Sequence, residues 1–249
     1  MLYLKRVAWV ALFLLAVNIS AAHAQQASLT DEQVGRRLTF ITKALQDGQP
    51  AARTWWYSWM GVYTVGAVAG GVLAASHWHD TKMEGPETVP DREFAEGMLV
   101  GGATFVLGVG GLLIDPFTPA SAARKLGRLP EATPQERLAK LERAEELLRK
   151  CAAREKRGRS LTTHLLNVGA NAAAGVVVKV GFHQSWGSAA VTFATGEAVS
   201  LLNIFTQPMR ATRDLKTYDA GAFSGPSARP AAQWSLGFGP GGVSFSLKF

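Results

Sequence analysis

Cysteine is almost absent: of 249 residues, only Cys151 carries a thiol. No intrachain disulfide can form, so oxidative stapling does not hold this fold together. The signatures of common catalytic centres are missing too, with no Gly-x-Ser-x-Gly elbow, no His-Glu-x-x-His and no Cys-x-x-Cys. Charge is sparse, at 18% of residues, and leaves long gaps. Thr54 to Ser76 holds no charge in 23 residues, nor does Gly97 to Ile114, and between Thr162 and Met209 only Lys179 and Glu197 are charged. Gaps of this length are too long for an ordinary solvated helix surface and point to a lipid or a protein interior.

The N-terminus has the layout of an export signal. Lys5 and Arg6 form a positive head, Val7 to Val17 is apolar, and Ala22 and Ala24 put small residues where a signal peptidase reads. Residues 1–24 are therefore expected to be a cleaved signal peptide, and the mature chain to start at Gln25. A glutamine at that position, not a cysteine, excludes the acylated-cysteine route to a lipid anchor. The formal charge is +7; Lys5 and Arg6 leave with the signal and no acid does, so the mature chain carries +5. That charge is uneven. Residues 25–120 hold six basic and ten acidic side chains, residues 121–160 twelve and six, and residues 161–249 six and three. A basic block of this kind could meet nucleic acid, but for an exported chain the 121–160 block suits an anionic lipid surface or a polyanionic envelope polymer better, and no nucleic-acid partner is expected.

Periodicity divides the mature chain. Thr30 and Gln33 form a capping box ahead of the stripe Val34, Leu38, Ile41 and Leu45, predicting a short amphipathic helix stopped by Asp47, Gly48 and Pro50. Thr54–Ser76 starts with Trp55, Trp56, Tyr57 and Trp59 and ends at His77, Trp78 and His79, the aromatic ends a bilayer interface selects. As a helix it would be about 34 Å long, enough to cross. Residues 80–96 read as a polar loop. Gly66 and Gly70 in the first run, and Gly97 and Gly101 in the second, are each four apart and predict a helical hairpin packed on small residues.

Thr133, Pro134 and Glu136 are a strong helix start, followed by the stripe Leu138, Leu141, Ala144, Leu148 and Cys151 to about Lys156. Leu161–Val178 and Ser188–Phe205 predict a second apolar hairpin, with Ala190, Ala194 and Ala198 four apart and Asn167, Asn171 and Glu197 interrupting it. Beyond Pro208, a stretch rich in Gly, Pro and Ser reads as a linker. The period then changes to two on both sides of a Gly/Pro turn, predicting a β-hairpin. The expected organisation is mainly α. It runs 1–24 signal, 25–120 amphipathic helix and first apolar helical hairpin, 121–160 linker and charged amphipathic helix, 161–208 second apolar helical hairpin, 209–232 flexible linker, and 233–249 C-terminal β-hairpin.

Val243, Phe245, Leu247 and Phe249 alternate to the end of the chain. This resembles the closing strand of bacterial outer-membrane β-barrels, whose aromatic C-terminus is an assembly signal, and the resemblance implies an outer-membrane destination. It covers only the last strand; a barrel needs eight or more, and the middle of the chain reads helical. The other reading is an ordinary hairpin lying on the helices. Gly237, Gly239 and Gly242 match G-x-G-x-x-G formally, but no helix can follow to hold a pyrophosphate, which excludes a dinucleotide site.

Lys179 and Glu197 lie eight residues before and ten after Gly187, the end of the expected Lys179–Gly187 connection, and if the two helices are antiparallel they would meet at similar depth as a buried ion pair. His77 and His79 are weak metal candidates, because residues two apart on a helix point in different directions. No cofactor is expected. A cleaved signal would place the basic 115–160 segment outside, reversing the usual positive-inside bias. An outer membrane, shallow hairpins or a soluble bundle would each remove that conflict. The sequence reading is thus an exported, membrane-associated cell-envelope protein without recognisable catalytic machinery: a helical scaffold or small pore-type subunit, able to form a homo-oligomer. The alternative is a periplasmic lipid-binding module or envelope enzyme using Lys179, Glu197 and the histidines.

Overall fold

The computed structural model describes residues 29–222 and the two strands 233–239 and 242–248. The signal segment 1–24 and Phe249 lie outside the described residues. The protein is mainly helical. Helix α1 spans Asp31–His77 and is followed by the short antiparallel pair β1, Thr81–Glu84, and β2, Glu87–Pro90. Helix α2, Glu93–Ile114, returns. A 3₁₀ turn at Thr118–Ala120 and the short α3, Ala122–Leu126, lead to α4, Pro134–Gly158. Helix α5, Leu161–Val176, ends in a π turn at Val177–Gly181; α6 is Trp186–Thr206 and α7 is Arg210–Asp219. Strands β3, Gln233–Gly239, and β4, Gly242–Lys248, pair antiparallel, with Trp234 opposite Leu247, Leu236 opposite Phe245 and Phe238 opposite Val243.

Both capping boxes form. Thr30 Oγ1 accepts from the Gln33 amide at 3.3 Å while Gln33 accepts from the Thr30 amide at 2.9 Å; Thr133 and Glu136 do the same at the start of α4. The expected break at Pro50 does not occur, and α1 runs through it for 47 residues. A proline inside a helix removes a hydrogen bond and costs about 3 kcal/mol. Contacts from distant parts of the chain hold the helix across that point. Arg210 pairs with Asp47 at 3.0 Å, Gln49 donates to the Ala120 carbonyl, and the flanking Leu45 and Ala52 are both buried.

Two further expectations need correcting. The 80–96 loop contains the β1–β2 pair. Within the 209–232 linker, α7 forms because Ala211, Thr212, Asp214 and Tyr218 can be buried against α4 while Arg213 and Lys216 stay wet. The first half of α1, with α3, α4 and α7, builds a polar-surfaced platform around Ile41, Leu126, Leu141, Leu148 and Cys151. Helices α5 and α6, α2 and the second half of α1 project from it. Among the described residues, four helices are long and apolar enough to cross a membrane, and only 11–17% of their most apolar stretches is buried.

The first pair of projecting helices meets glycine against aromatic. A Cβ on Gly66 would strike the Phe105 ring at 2.7 Å, and one on Gly108 would strike the Tyr63 ring at 2.9 Å. One turn further toward the β1–β2 end, Gly70 touches the backbone of Gly102. A Cβ at Gly97 or Gly101, the expected partners, would meet nothing within 4 Å among the described residues. The packed face of α2 is rotated away from them, onto Gly102 and Gly108. On α6, likewise, Ala190, Ala194 and Ala198 are exposed, and Ala189 and Gly196 face α5 instead.

Candidate functional site

At the far end from the platform, the two helix pairs are tied together. Gln184 donates to the Glu93 carbonyl at 3.0 Å and to the Glu96 carboxylate at 2.9 Å, and Ser188 donates to Glu93 at 2.6 Å. Val100, Ala174, Val178 and Ala189 pack just beneath. At the platform end, Trp55 and Trp59 of α1 donate to Thr206 of α6 at 3.3 and 3.0 Å. Between these ties α2 and α5 diverge, leaving a cleft of about 550 Å³.

The platform supplies the rim of the cleft. Arg154 and Arg157, in the last turns of α4, both pair with Asp115 just beyond α2, at 3.0 and 3.2 Å. Arg159 donates to the Phe205 and Gln207 carbonyls at 2.8 and 2.7 Å. Cations at helix C-termini are favoured by the exposed carbonyls and the helix dipole. The arginines that end α4 therefore fasten α2 and α6 to the platform. Burial pulls the Arg154 guanidinium below its usual value, and Asp115 opposes the shift. Phe117 lies under Arg154, 5.6 Å from ring centroid to guanidinium carbon.

Inside, the walls carry Phe105, Leu112 and Val199 beside Thr104 and Asn167. The Asn203 amide nitrogen is buried with no acceptor among the described residues. The floor is a hydrogen-bonded set. Asn171 donates to Glu197 at 2.7 Å and to Ser200 at 3.2 Å. Leu107 and Leu166, 67% and 69% exposed, mark a side opening onto the apolar surface.

The expected Lys179–Glu197 ion pair is not made. Lys179 donates to the Gln184 carbonyl at 2.9 Å and lies 5.6 Å from the Trp186 ring centroid, while Glu197 is held by Asn171. Gly187 sits inside α6, so the turn centres nearer His183 and the residue opposite Glu197 is Asn171. His77 binds Asp80 at 2.7 Å, and among the described residues no group of His, Cys, Asp or Glu could hold a metal. The pairing of β4 includes Val243, Phe245 and Leu247, whereas Phe249 falls outside the described residues.

Sequence reasoning missed the cleft, although a signal for it existed. Asn167 and Asn171 are four apart, and Glu197, Ser200 and Asn203 three apart, which puts each polar set on one helical face. The glycines obscured this by suggesting packing everywhere. No known family model, curated protein or solved structure matches this chain.

Proposed function

We propose that this chain is an integral protein of a cell-envelope membrane, delivered by the 1–24 signal. It acts as a helical scaffold, not an enzyme. One observation carries the reading. Of the 24 large apolar side chains exposed among the described residues, all but Met83 lie on α1, α2, α5 with its π turn, and α6. Fully burying one such side chain stabilises by about 1.5–3 kcal/mol, so leaving over twenty of them in water is not a stable arrangement. Soluble monomers rarely expose apolar patches beyond a few hundred Å². A bilayer resolves both problems, and Trp56, at the start of the apolar half of α1, and Trp186, at the start of α6, sit where an interface selects aromatics.

The platform carries the protein's soluble surface and its basic charge, and α4 fastens the membrane helices to it through Arg154, Arg157 and Arg159. The non-enzymatic reading is supported by the lack of nucleophile motifs in the sequence. Fractionation tests it. The protein should stay in the membrane pellet after alkaline carbonate washing and be released by detergent. Recovery as a soluble monomer would sink the scaffold reading and favour a periplasmic binding module.

A further inference from the structure

We propose that the cleft between α2 and α5 is a lateral binding site for one anionic phospholipid. The inference rests on the membrane reading above and adds a ligand to it. Depth comes first. The mouth lies at Asp115 and Ser160, and the polar floor at Asn171 is ten residues along α5 from Leu161. At 1.5 Å per residue this is about 15 Å. A bilayer hydrocarbon core is roughly 30 Å thick, so the cleft reaches one leaflet deep.

Charge and shape agree with that depth. Two arginines against one aspartate leave the mouth net positive, and Arg157 is exposed, its side chain 63% accessible. The first turn of α5, with Thr162 and Thr163 lining the cleft, adds the positive end of a helix beside Arg157. A phosphate headgroup fits there. The unpartnered Asn203 amide, three residues before the end of α6, sits at the depth of a glycerol ester carbonyl, which could accept from it. Below that, the Asn171–Glu197–Ser200 set closes the floor to an acyl chain, and the tail leaves sideways between Leu107 and Leu166 into the bilayer. The volume of about 550 Å³ lies in the usual range for small-ligand sites.

The full-length mature protein is reconstituted into phosphatidylcholine vesicles. These contain a trace of either phosphatidylglycerol or phosphatidylcholine spin-labelled near the chain end. Flotation is checked first; failure to float with the vesicles would overturn the membrane reading and this site with it. In floating protein, the motionally restricted spectral component should favour phosphatidylglycerol. Arg157→Gln should weaken that preference about fivefold, the factor expected for one arginine near an anionic surface. Arg149→Gln, on the same helix but away from the cleft, should leave it intact. Ala170→Trp, which fills the cleft, should remove the preferred component while helix content by circular dichroism stays unchanged. Equal restriction of the two lipids in the wild type overturns the proposal. So does an Ala170→Trp protein with normal helix content and an undiminished preference, which would place the headgroup on the open surface.

Discussion

Gly70 lies directly against Gly102: a Cβ added to Gly70 would stand 2.7 Å from the Gly102 Cα and 2.8 Å from the Met98 carbonyl oxygen. Both obstacles are backbone and cannot rotate away. Gly70→Leu should therefore force α1 and α2 apart, costing about 1–3 kcal/mol or more, as overpacking does. A Cβ at Gly97 or Gly101 would meet nothing within 4 Å among the described residues, so Gly97→Leu and Gly101→Leu should be tolerated, as should the exposed Glu142→Gln. Thermal unfolding in detergent separates these outcomes. Equal tolerance at all three glycines would show that small-residue contact does not hold the helices together.

Helix α7 is held to the platform by one buried acid. The Glu155 carboxylate, 1% exposed, accepts from the Ala211 amide at 3.0 Å and the Thr212 amide at 2.7 Å, one on each oxygen. Glu155→Gln leaves one of those donors facing an NH₂ group. The cost of an unsatisfied buried donor is about 1–3 kcal/mol. Amide exchange in 210–219 should speed up in the variant more than in α1. Unchanged exchange there would mean that the Tyr218–Glu145 and Arg210–Asp47 contacts suffice.

Burial raises the Glu155 carboxyl above its usual range, with the Thr212 and Ala211 amides opposing. It also raises Asp214, with Arg210 opposing. A carboxylate raised on folding contributes stability below its unfolded value and loses it as pH rises through the folded one. The platform should thus lose stability through these two groups over a pH window that opens at their unfolded values, about 4, and runs upward. Around them, Arg159 faces Glu155, and Arg210, Arg213 and Asp47 face Asp214. The double change Glu155→Gln with Asp214→Asn should flatten the pH dependence of unfolding in that window. An unaltered slope would assign it to other groups.

What could be read in advance was local. The capping boxes at Thr30 and Thr133 need only residues three apart, and the stripe Val34, Leu38, Ile41 and Leu45 needs only a period; all four side chains are buried. Pro50 misled because the groups that carry α1 through it, Arg210 and Ala120, are far away in sequence. The glycines misled because spacing gives a face but not its rotation: Gly101 and Gly102 are neighbours, yet only Gly102 meets α1. Lys179 and Glu197 were paired on the assumption that Gly187 marked the turn, when the π turn ends α5 six residues earlier, at Gly181. The cleft was hidden for a similar reason. On an amphipathic helix, Arg154 and Arg157 look like any solvated pair until Asp115 is brought beside them.

Cys151 is fully buried on the α4 stripe, and burial, with Glu155 nearby, pushes its thiol up to about 12. The thiolate is the reactive form, so at neutral pH this residue should be inert. Maleimide should not modify the native protein in detergent and should modify it fully in denaturant. Rapid labelling of the folded protein would contradict the packing of α4 against α1.

Topology gives the sharpest contest, because the proposed export signal and the charge bias disagree. The platform, residues 29–53, 115–160 and 207–222, holds 19 basic and 12 acidic side chains; the far end, residues 77–96 and 179–188, holds three and six. Positive-inside insertion would leave the platform in the cytoplasm. A cleaved signal puts it outside, with the mature chain starting at Gln25. We expect the N-terminal signal to prevail over the charge bias, because 1–24 carries the head, apolar run and small-residue cleavage site of an export signal. Edman sequencing of protein from the host should then begin at Gln25. With Cys151 buried, single cysteines can report sidedness: Glu142→Cys on α4 and Glu87→Cys on β2, both exposed. A membrane-impermeant maleimide added to spheroplasts or whole envelopes should reach Glu142→Cys. Protection of Glu87→Cys would then mean inner-membrane insertion, and labelling of both positions a location in the outer membrane. A retained Met1 together with a protected Glu142→Cys would reverse the topology and sink the export reading.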